Sequence, residues 1–220
     1  MKIGFICPNL PGHINPMSGL ARHLQARGHD VVFLYSSSAN GLPCIPGDKR
    51  DDLNANRPEM SYITQLPKEF DFEHPLLPPQ FHYTGPFHDG KGRHPVDFPW
   101  DRLTGEPLIY ASMGTIMNGR ADVFRTIAAG VANHRGTQLV LSIGDRLDPK
   151  QIGPVPSNVI IVNQAPQLEL LKRASVCITH AGLNTVLESL AQGVPQLAIP
   201  VTFEQPGIAA RIARCHHVVC

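Results

Sequence analysis

From Leu108 onward, short and nearly continuous apolar runs alternate with amphipathic ones, and this alternation restricts the fold more than any other feature of the chain. Leu108 to Ala111, Gln138 to Ile143, Val159 to Val162, Val176 to Thr179 and Gln196 to Ile199 read as strands. Asp122 to Asn133, Gln167 to Arg173, Leu183 to Ala191 and Gln205 to Arg214 read as helices, the third of them stopped by Gly193. A strand without a polar side has to be buried on both faces, and an intervening helix lets successive strands run parallel. The expected architecture is therefore a parallel α/β sheet covered on both faces. His217 to Cys220 reads as the start of one more strand.

The amino-terminal part follows the same pattern once and then loses it. Lys2 to Cys7 is a strand candidate and Pro8 to His13 a turn, with Pro16 suited to a first helical turn because its missing N–H needs no partner there. Met17, Leu20, Ala21 and Leu24 then share one helical face as far as Arg27, Gly28 is a stop, and Asp30 to Tyr35 is a second strand. Such a β-loop-α-β unit calls for parallel pairing through a right-handed crossover. Between Pro43 and Pro107 lie eleven of the 21 prolines, and only Ser61 to Leu66 and Phe81 to Thr84 read as short extended pieces. Two strands and one helix cannot cover a parallel sheet, so this domain reads as one whose middle is missing.

Composition narrows the function classes. With 42% hydrophobic and 17% charged residues the chain is too apolar for disorder. A formal net charge of +1 supplies no basic field for a nucleic-acid backbone, although a helix end can still hold a small anion. The cysteines, at 7, 44, 177, 215 and 220, have no metal-like spacing, and buried thiols are expected at Cys7 and Cys177. His74, His82, His88 and His94 are scattered through a proline-rich stretch and form no compact metal site. The first apolar run is too short for a signal peptide or a membrane span, so a soluble cytoplasmic protein is expected.

Chemistry gathers at two strand ends. Thr179-His180-Ala181-Gly182-Leu183-Asn184-Thr185 joins a strand to a helix, the place where open parallel sheets bind ligands and where unpaired N–H groups meet phosphate. Gly182 allows close approach, His180, Asn184 and Thr185 can donate, and Glu188 lies one turn beyond Asn184, where a carboxylate suits a ribose or sugar hydroxyl pair. The same residues would also serve as a plain helix cap and a turn histidine. At the second end Phe203-Glu204-Gln205-Pro206 opens the last helix with a carboxylate beside an amide, which fits either a ligand rich in hydroxyls or an ordinary acidic helix start.

Taken together, Gln164-Ala165-Pro166-Gln167, Thr179 to Thr185, Glu188, Gly193-Val194-Pro195 and Glu204-Gln205 resemble the carboxyl-terminal signature of the nucleoside-diphosphate-sugar glycosyltransferases. Pro58 to Phe87, with Tyr110-Ala111-Ser112-Met113-Gly114-Thr115, is similar to the bacterial branch that holds carotenoid (zeaxanthin) glucosyltransferases. The resemblance implies two Rossmann-like parallel-sheet domains of the GT-B type: a reduced acceptor-side domain at 1–87, a linker at 88–106 and a nucleotide-sugar-binding domain at 107–220. It implies that His180, Asn184 and Thr185 contact the diphosphate, that Glu188 takes the ribose hydroxyls and that Glu204 and Gln205 hold the sugar. Ser112 and Thr115 would lie near the phosphates, and Gln164, with Gln167 beyond it, stands where plant members place a tryptophan against the uracil. Gly12-His13-Ile14-Asn15-Pro16 matches the family's amino-terminal element, in which the histidine is the general base, work that suits an imidazole as a side chain. The implied reaction moves a hexose, glucose first, from a UDP-sugar to a hydroxyl of a small lipophilic acceptor such as a hydroxylated carotenoid, with inversion. UDP-sugar is a co-substrate, and no metal or other cofactor is implied.

The departures are equally specific. The family's aspartate that orients the catalytic histidine has no counterpart between Tyr35 and Pro58, where Asp48, Asp51 and Asp52 sit in a polar loop. The chain therefore reads as an internally shortened and carboxyl-terminally truncated relative, and a non-catalytic nucleotide-sugar-binding protein is the alternative. A dinucleotide-dependent oxidoreductase is disfavoured, because neither half places G-x-G-x-x-G between a strand and a helix.

Overall fold

The computed structural model describes residues 2–8, 11–36, 62–74, 77, 79, 81–87, 93, 95–115, 118–134 and 136–215. The chain divides into two compact units, Met1–Arg93 and His94–Cys220.

In the first unit β1 (Lys2–Pro8) pairs in parallel with β2 (Asp30–Ser36), from Lys2 opposite Asp30 to Pro8 opposite Ser36. They are joined through α1 (Pro11–Ala26), followed by Gly28 at φ +81°. The helix starts earlier than the sequence reading expects: Pro11, Gly12 and His13 are helical, not part of a turn. Proline is well placed at a first helical position, where its fixed φ matches and no N–H is missed, and Pro11 takes that role in place of Pro16. Pro16 lies inside the helix, where it forgoes one backbone hydrogen bond. A second parallel pair, β3 (Tyr62–Thr64) with β4 (Phe81–Tyr83), falls on the two expected extended pieces. Asp71, only 5% exposed, ties this region together: Tyr83 Oη donates to Oδ2 at 2.8 Å and the Phe72 N–H to Oδ1 at 2.9 Å.

The second unit carries the expected alternation. Its strands are β5 (Leu108–Ser112), β6 (Gln138–Ser142), β7 (Val159–Val162), β8 (Ala174–Thr179) and β9 (Gln196–Ala198). Its helices are α2 (Ala121–Ala132), α3 (Gln167–Leu171), α4 (Leu183–Ala191) and α5 (Gln205–Arg214). All neighbouring strands are parallel, in the spatial order β7-β6-β5-β8-β9. The chain thus builds outward from β5 on one side and then returns to build on the other, and β5 and β8 flank the switch point. Residues 217–220, read as a further strand start, lie outside the described residues.

Period-two alternation divides the strands between two cores. Ala111, Leu139, Leu141 and Ile178 pack with Phe124, Ile127, Ala128 and Val131 of α2. Leu108, Tyr110, Val140, Ile160 and Cys177 face the other way and pack with Leu170, Leu171 and Val194. Each fully buried large apolar side chain of this kind contributes about 1.5–3 kcal/mol, and both faces of β5 and β6 are filled. Cys177 is buried as expected, and burial pushes its thiol up to about 11; the Cys7 side chain lies outside the described residues. No helix of the described residues is long and apolar enough to cross a membrane.

Candidate functional site

At the switch point Ser112 and Thr179 are register partners, so the loops after β5 and β8 leave the sheet side by side. Both turn sharply. Gly114 has φ +76°, and Ala181, fully buried, has φ +65° although it is not glycine. A left-handed alanine costs of order 1–3 kcal/mol and persists only where its surroundings enforce it. Here the Ala181 N–H donates to Thr179 Oγ1 at 3.2 Å, and the Gly114 N–H donates to Ser112 Oγ at 3.3 Å. The two strand-end hydroxyls thereby hold the two loops.

Between the loops lies His180. A Cβ placed on Gly114 would come within 2.5 Å of its Nε2 and Cε1, and one on Gly182 within 2.5 Å of Nε2. Both glycines are therefore required by the close passage of backbone beside the ring, a constraint that only the pairing of β5 with β8 reveals. His180 Nδ1 is buried without a hydrogen-bond partner. Burial lowers the pKa of the imidazole below its ordinary value, opposed by the nearby Glu204 carboxylate and the Ser112 backbone. Glu204, in the loop before α5, is thus near enough to the imidazole to favour its charged form. Gly182 caps α4, whose first turn presents the N–H groups that a helix leaves unpaired internally. A neutral, half-buried imidazole beside such a helix start offers donors to an anion without a standing charge to desolvate.

Behind this corner of the two loops lies a buried polar chain. Tyr110 Oη donates to Gln167 Oε1 at 3.1 Å, and Gln167 Nε2 donates to Glu188 Oε2 at 2.7 Å and to Thr185 Oγ1 at 3.3 Å. Glu188 is 2% exposed and Thr185 8%, while Gln167 and Asn184 are half-buried. Gln164 is exposed, donating to Asp145 Oδ2 at 2.8 Å. Thr115 is exposed after the Gly114 turn.

The loop before α5 is organised by Gln205, itself 5% exposed. Its Oε1 accepts the N–H groups of Val201 at 2.8 Å and Thr202 at 3.0 Å, which leaves its amide NH2 as the end available to another partner. Glu204 stands exposed at the cap position of α5, after Phe203, which is 75% exposed at φ +57°. His13 lies in the first turns of α1, and its side chain is outside the described residues, as are Asp48, Asp51 and Asp52.

The structure adds two residues to which the sequence reading gave no role. One is Tyr110, whose partner lies 57 residues away. The other is Asn118, 2% exposed, whose Nδ2 donates to the Gly114 carbonyl at 2.9 Å while its side chain packs against Gly144. The tyrosine stands in a quoted motif but looks like a core aromatic; nothing in the local sequence singles out the asparagine.

The family described as UDP-glucoronosyl and UDP-glucosyl transferase matches residues 48–219. A zeaxanthin glucosyltransferase from Pantoea ananas is 33% identical over 188 residues, which cover 84% of this chain and 42% of that protein. The NDP-glycosyltransferase YjiC of Bacillus subtilis (strain 168) is 30% identical over 155 residues, covering 70% of this chain and 39% of that one. The matched stretch thus spans about two fifths of the length of these relatives. Among solved structures, the glycotransferase of kitacinnamycin matches with a TM-score of 0.75 at 18% identity, covering 99% of this chain and 84% of the other. That likeness is one of fold, and it extends to a glycosyltransferase of two-domain GT-B architecture, as the sequence reading expects.

Proposed function

The chain belongs to the UDP-glucoronosyl and UDP-glucosyl transferase family, and from this premise we propose that its second unit binds a UDP-sugar for transfer of a hexose, glucose first, to a hydroxyl of a small lipophilic acceptor. A hydroxylated carotenoid is the first acceptor to try, since a zeaxanthin glucosyltransferase is among the similar proteins. The observation that carries the reading is His180: a neutral imidazole held between Gly114 and Gly182, with Nδ1 unpartnered, at the start of α4.

In this reading the diphosphate lies against the first turn of α4, with His180, Asn184 and Thr185 as donors and the loop of Ser112 and Thr115 beside them. The helix start and these donors offset the charge that develops on the leaving UDP, so no metal or other cofactor enters. Glu188 takes the ribose hydroxyls, Gln164 and Gln167 line the nucleotide, and Glu204 with the Gln205 amide holds the sugar. His13 removes the proton of the acceptor hydroxyl, whose oxygen attacks the anomeric carbon as UDP departs, and configuration there is inverted. A cytoplasmic location accords with a nucleotide-sugar donor.

The test is to titrate the whole chain with UDP and UDP-glucose, then to assay UDP release with a panel of hydroxylated lipophilic acceptors and His13→Ala as control. Binding together with turnover that the substitution abolishes supports transfer. Binding without turnover supports a nucleotide-sugar-binding protein instead, and absence of binding removes both readings.

A further inference from the structure

We propose that Tyr110 is a positioning residue for nucleotide recognition, fixing the Gln167 amide so that Glu188 presents its carboxylate to a ribose hydroxyl. The proposal rests on the donor-site reading above and adds to it a residue in the centre of the sheet.

A carboxylate only accepts, so the 2.7 Å contact with Glu188 Oε2 requires the nitrogen end of the Gln167 amide. The carbonyl end must then point the opposite way, into the second core, where an unpaired oxygen would be costly. There it meets the Tyr110 hydroxyl at 3.1 Å. Tyr110 is 1% exposed, and burial, together with the nearby Cys177 thiol and Glu188 carboxylate, holds its hydroxyl protonated far above its ordinary range against the opposing Ser112 and Ser142 hydroxyls. Its hydroxyl is thus a fixed donor on a fixed ring. Packing of Tyr110 with Leu108, Val140, Ile160, Leu170 and Leu171 leaves that ring no other place.

The polarity therefore runs one way: hydroxyl to amide oxygen, amide nitrogen to carboxylate. Thr185 Oγ1, 3.3 Å from the same nitrogen, adds a second acceptor on the side of α4 and reinforces the orientation. With phenylalanine at position 110 the amide oxygen loses its donor. The amide is then free to turn, and in the turned state its oxygen faces the Glu188 carboxylate, which is pushed out of place. The aromatic packing is unchanged, because only one atom is removed.

The experiment is calorimetric titration of the whole chain, wild type and variants, with UDP, 2′-deoxy-UDP and 3′-deoxy-UDP. The wild type is expected to bind UDP more tightly than the analogue lacking the hydroxyl that Glu188 meets. Tyr110→Phe is expected to lower UDP affinity about three- to tenfold, the loss of one well-made hydrogen bond. Its affinity for that deoxy analogue should stay within about twofold, so that the discrimination shrinks; a merely structural defect would weaken all ligands alike. Gln167→Leu should lose at least as much discrimination, and the double variant no more than Gln167→Leu alone. Wild-type discrimination with an unchanged ratio in Tyr110→Phe, or additive losses in the double variant, would overturn the role of Tyr110 and leave the ribose reading standing. Equal wild-type affinities for all three nucleotides would bring down the ribose reading and this proposal with it. Should Tyr110→Phe not fold, Gln167→Leu decides alone, and a retained ratio in it overturns the proposal.

Discussion

The two units of this chain are built with the same kind of strand pairing, yet their described residues differ in how many buried side chains accompany it. In the second unit five parallel strands have buried side chains above and below, from Phe124 and Leu139 on one face to Tyr110 and Val140 on the other. Among the described residues of the first unit, two separate parallel pairs accompany a handful of buried positions: Pro16, Gly19, Ala21, Phe70 and Asp71. A parallel sheet is held by what covers it. The left-handed turns around His180 thus stand directly on β5 and β8, strands whose side chains are buried on both faces.

The largest expected effect would break this contrast directly. Phe124→Ala opens a cavity in a filled core and should lower stability by about 3–5 kcal/mol. Ile63→Ala, at a side chain 56% exposed in β3, should change it by no more than about 0.5 kcal/mol. Urea unfolding of both variants is the measurement, and similar losses would erase the difference between the units.

Next in size is the corner around His180, proposed to hold the diphosphate. His180→Ala should weaken UDP binding about 10- to 150-fold, the range of a charge-assisted hydrogen bond, while His134→Ala, at an exposed position after α2, should leave it nearly unchanged. Equal effects in calorimetry would mean that the two loops do not form the donor site.

A smaller effect separates backbone strain from contact. Gly114 and Gly136 have almost the same φ, +76° and +75°, but a Cβ on Gly114 meets the His180 ring while one on Gly136 meets nothing within 4 Å. Either alanine should cost about 1 kcal/mol or somewhat more through the left-handed backbone. Only Gly114→Ala should add a further loss of stability and a loss of UDP affinity. Matching melting temperatures and affinities for the two variants would show that the tight passage past His180 is not needed.

The smallest expected effect is on pH dependence. The folded-state pKa of His180 lies below its ordinary 6.5, so as pH falls the unfolded chain takes up a proton before the folded one. The neutral imidazole therefore contributes stability that is complete above about pH 6.5 and is lost as pH falls through the folded value. The melting temperature of the wild type should fall more steeply than that of His180→Gln between about pH 7.5 and pH 5. Parallel curves would show that the imidazole is not held in its neutral form.

How much of this was legible in the sequence follows from the range of the forces involved. Each strand and helix of the second unit could be placed from its residues because a doubly covered sheet demands apolar runs, and punctuation such as Gly193, at φ +66°, falls where a helix has to stop. The start of α1 was misplaced because two prolines, Pro11 and Pro16, compete for the same role and local rules do not choose between them. At the site, His180, Gly182 and Glu188 were legible because they cluster on one strand-helix junction. The need for glycine at Gly114 was not, since it comes from a ring across a strand pair, and Tyr110, Gln167 and Glu188 meet only after three elements pack. Gln205 was legible as a polar residue at a strand end, but its use of Oε1 to hold Val201 and Thr202 depends on a turn that spacing alone does not specify.

The position of β5 between β6 and β8 also has a bearing on the order of assembly. Its pairing with β6 needs one helix to close, whereas its pairing with β8 waits for β6, β7 and α3 as well, and contacts so distant along the chain are slow to form. The Gly114 loop can therefore be shaped before His180 arrives beside it. A nucleotide held by both loops would recognise only the arrangement in which β5 and β8 are paired. Such a ligand should act mainly as a brake on unfolding, with little influence on how quickly the unit first forms.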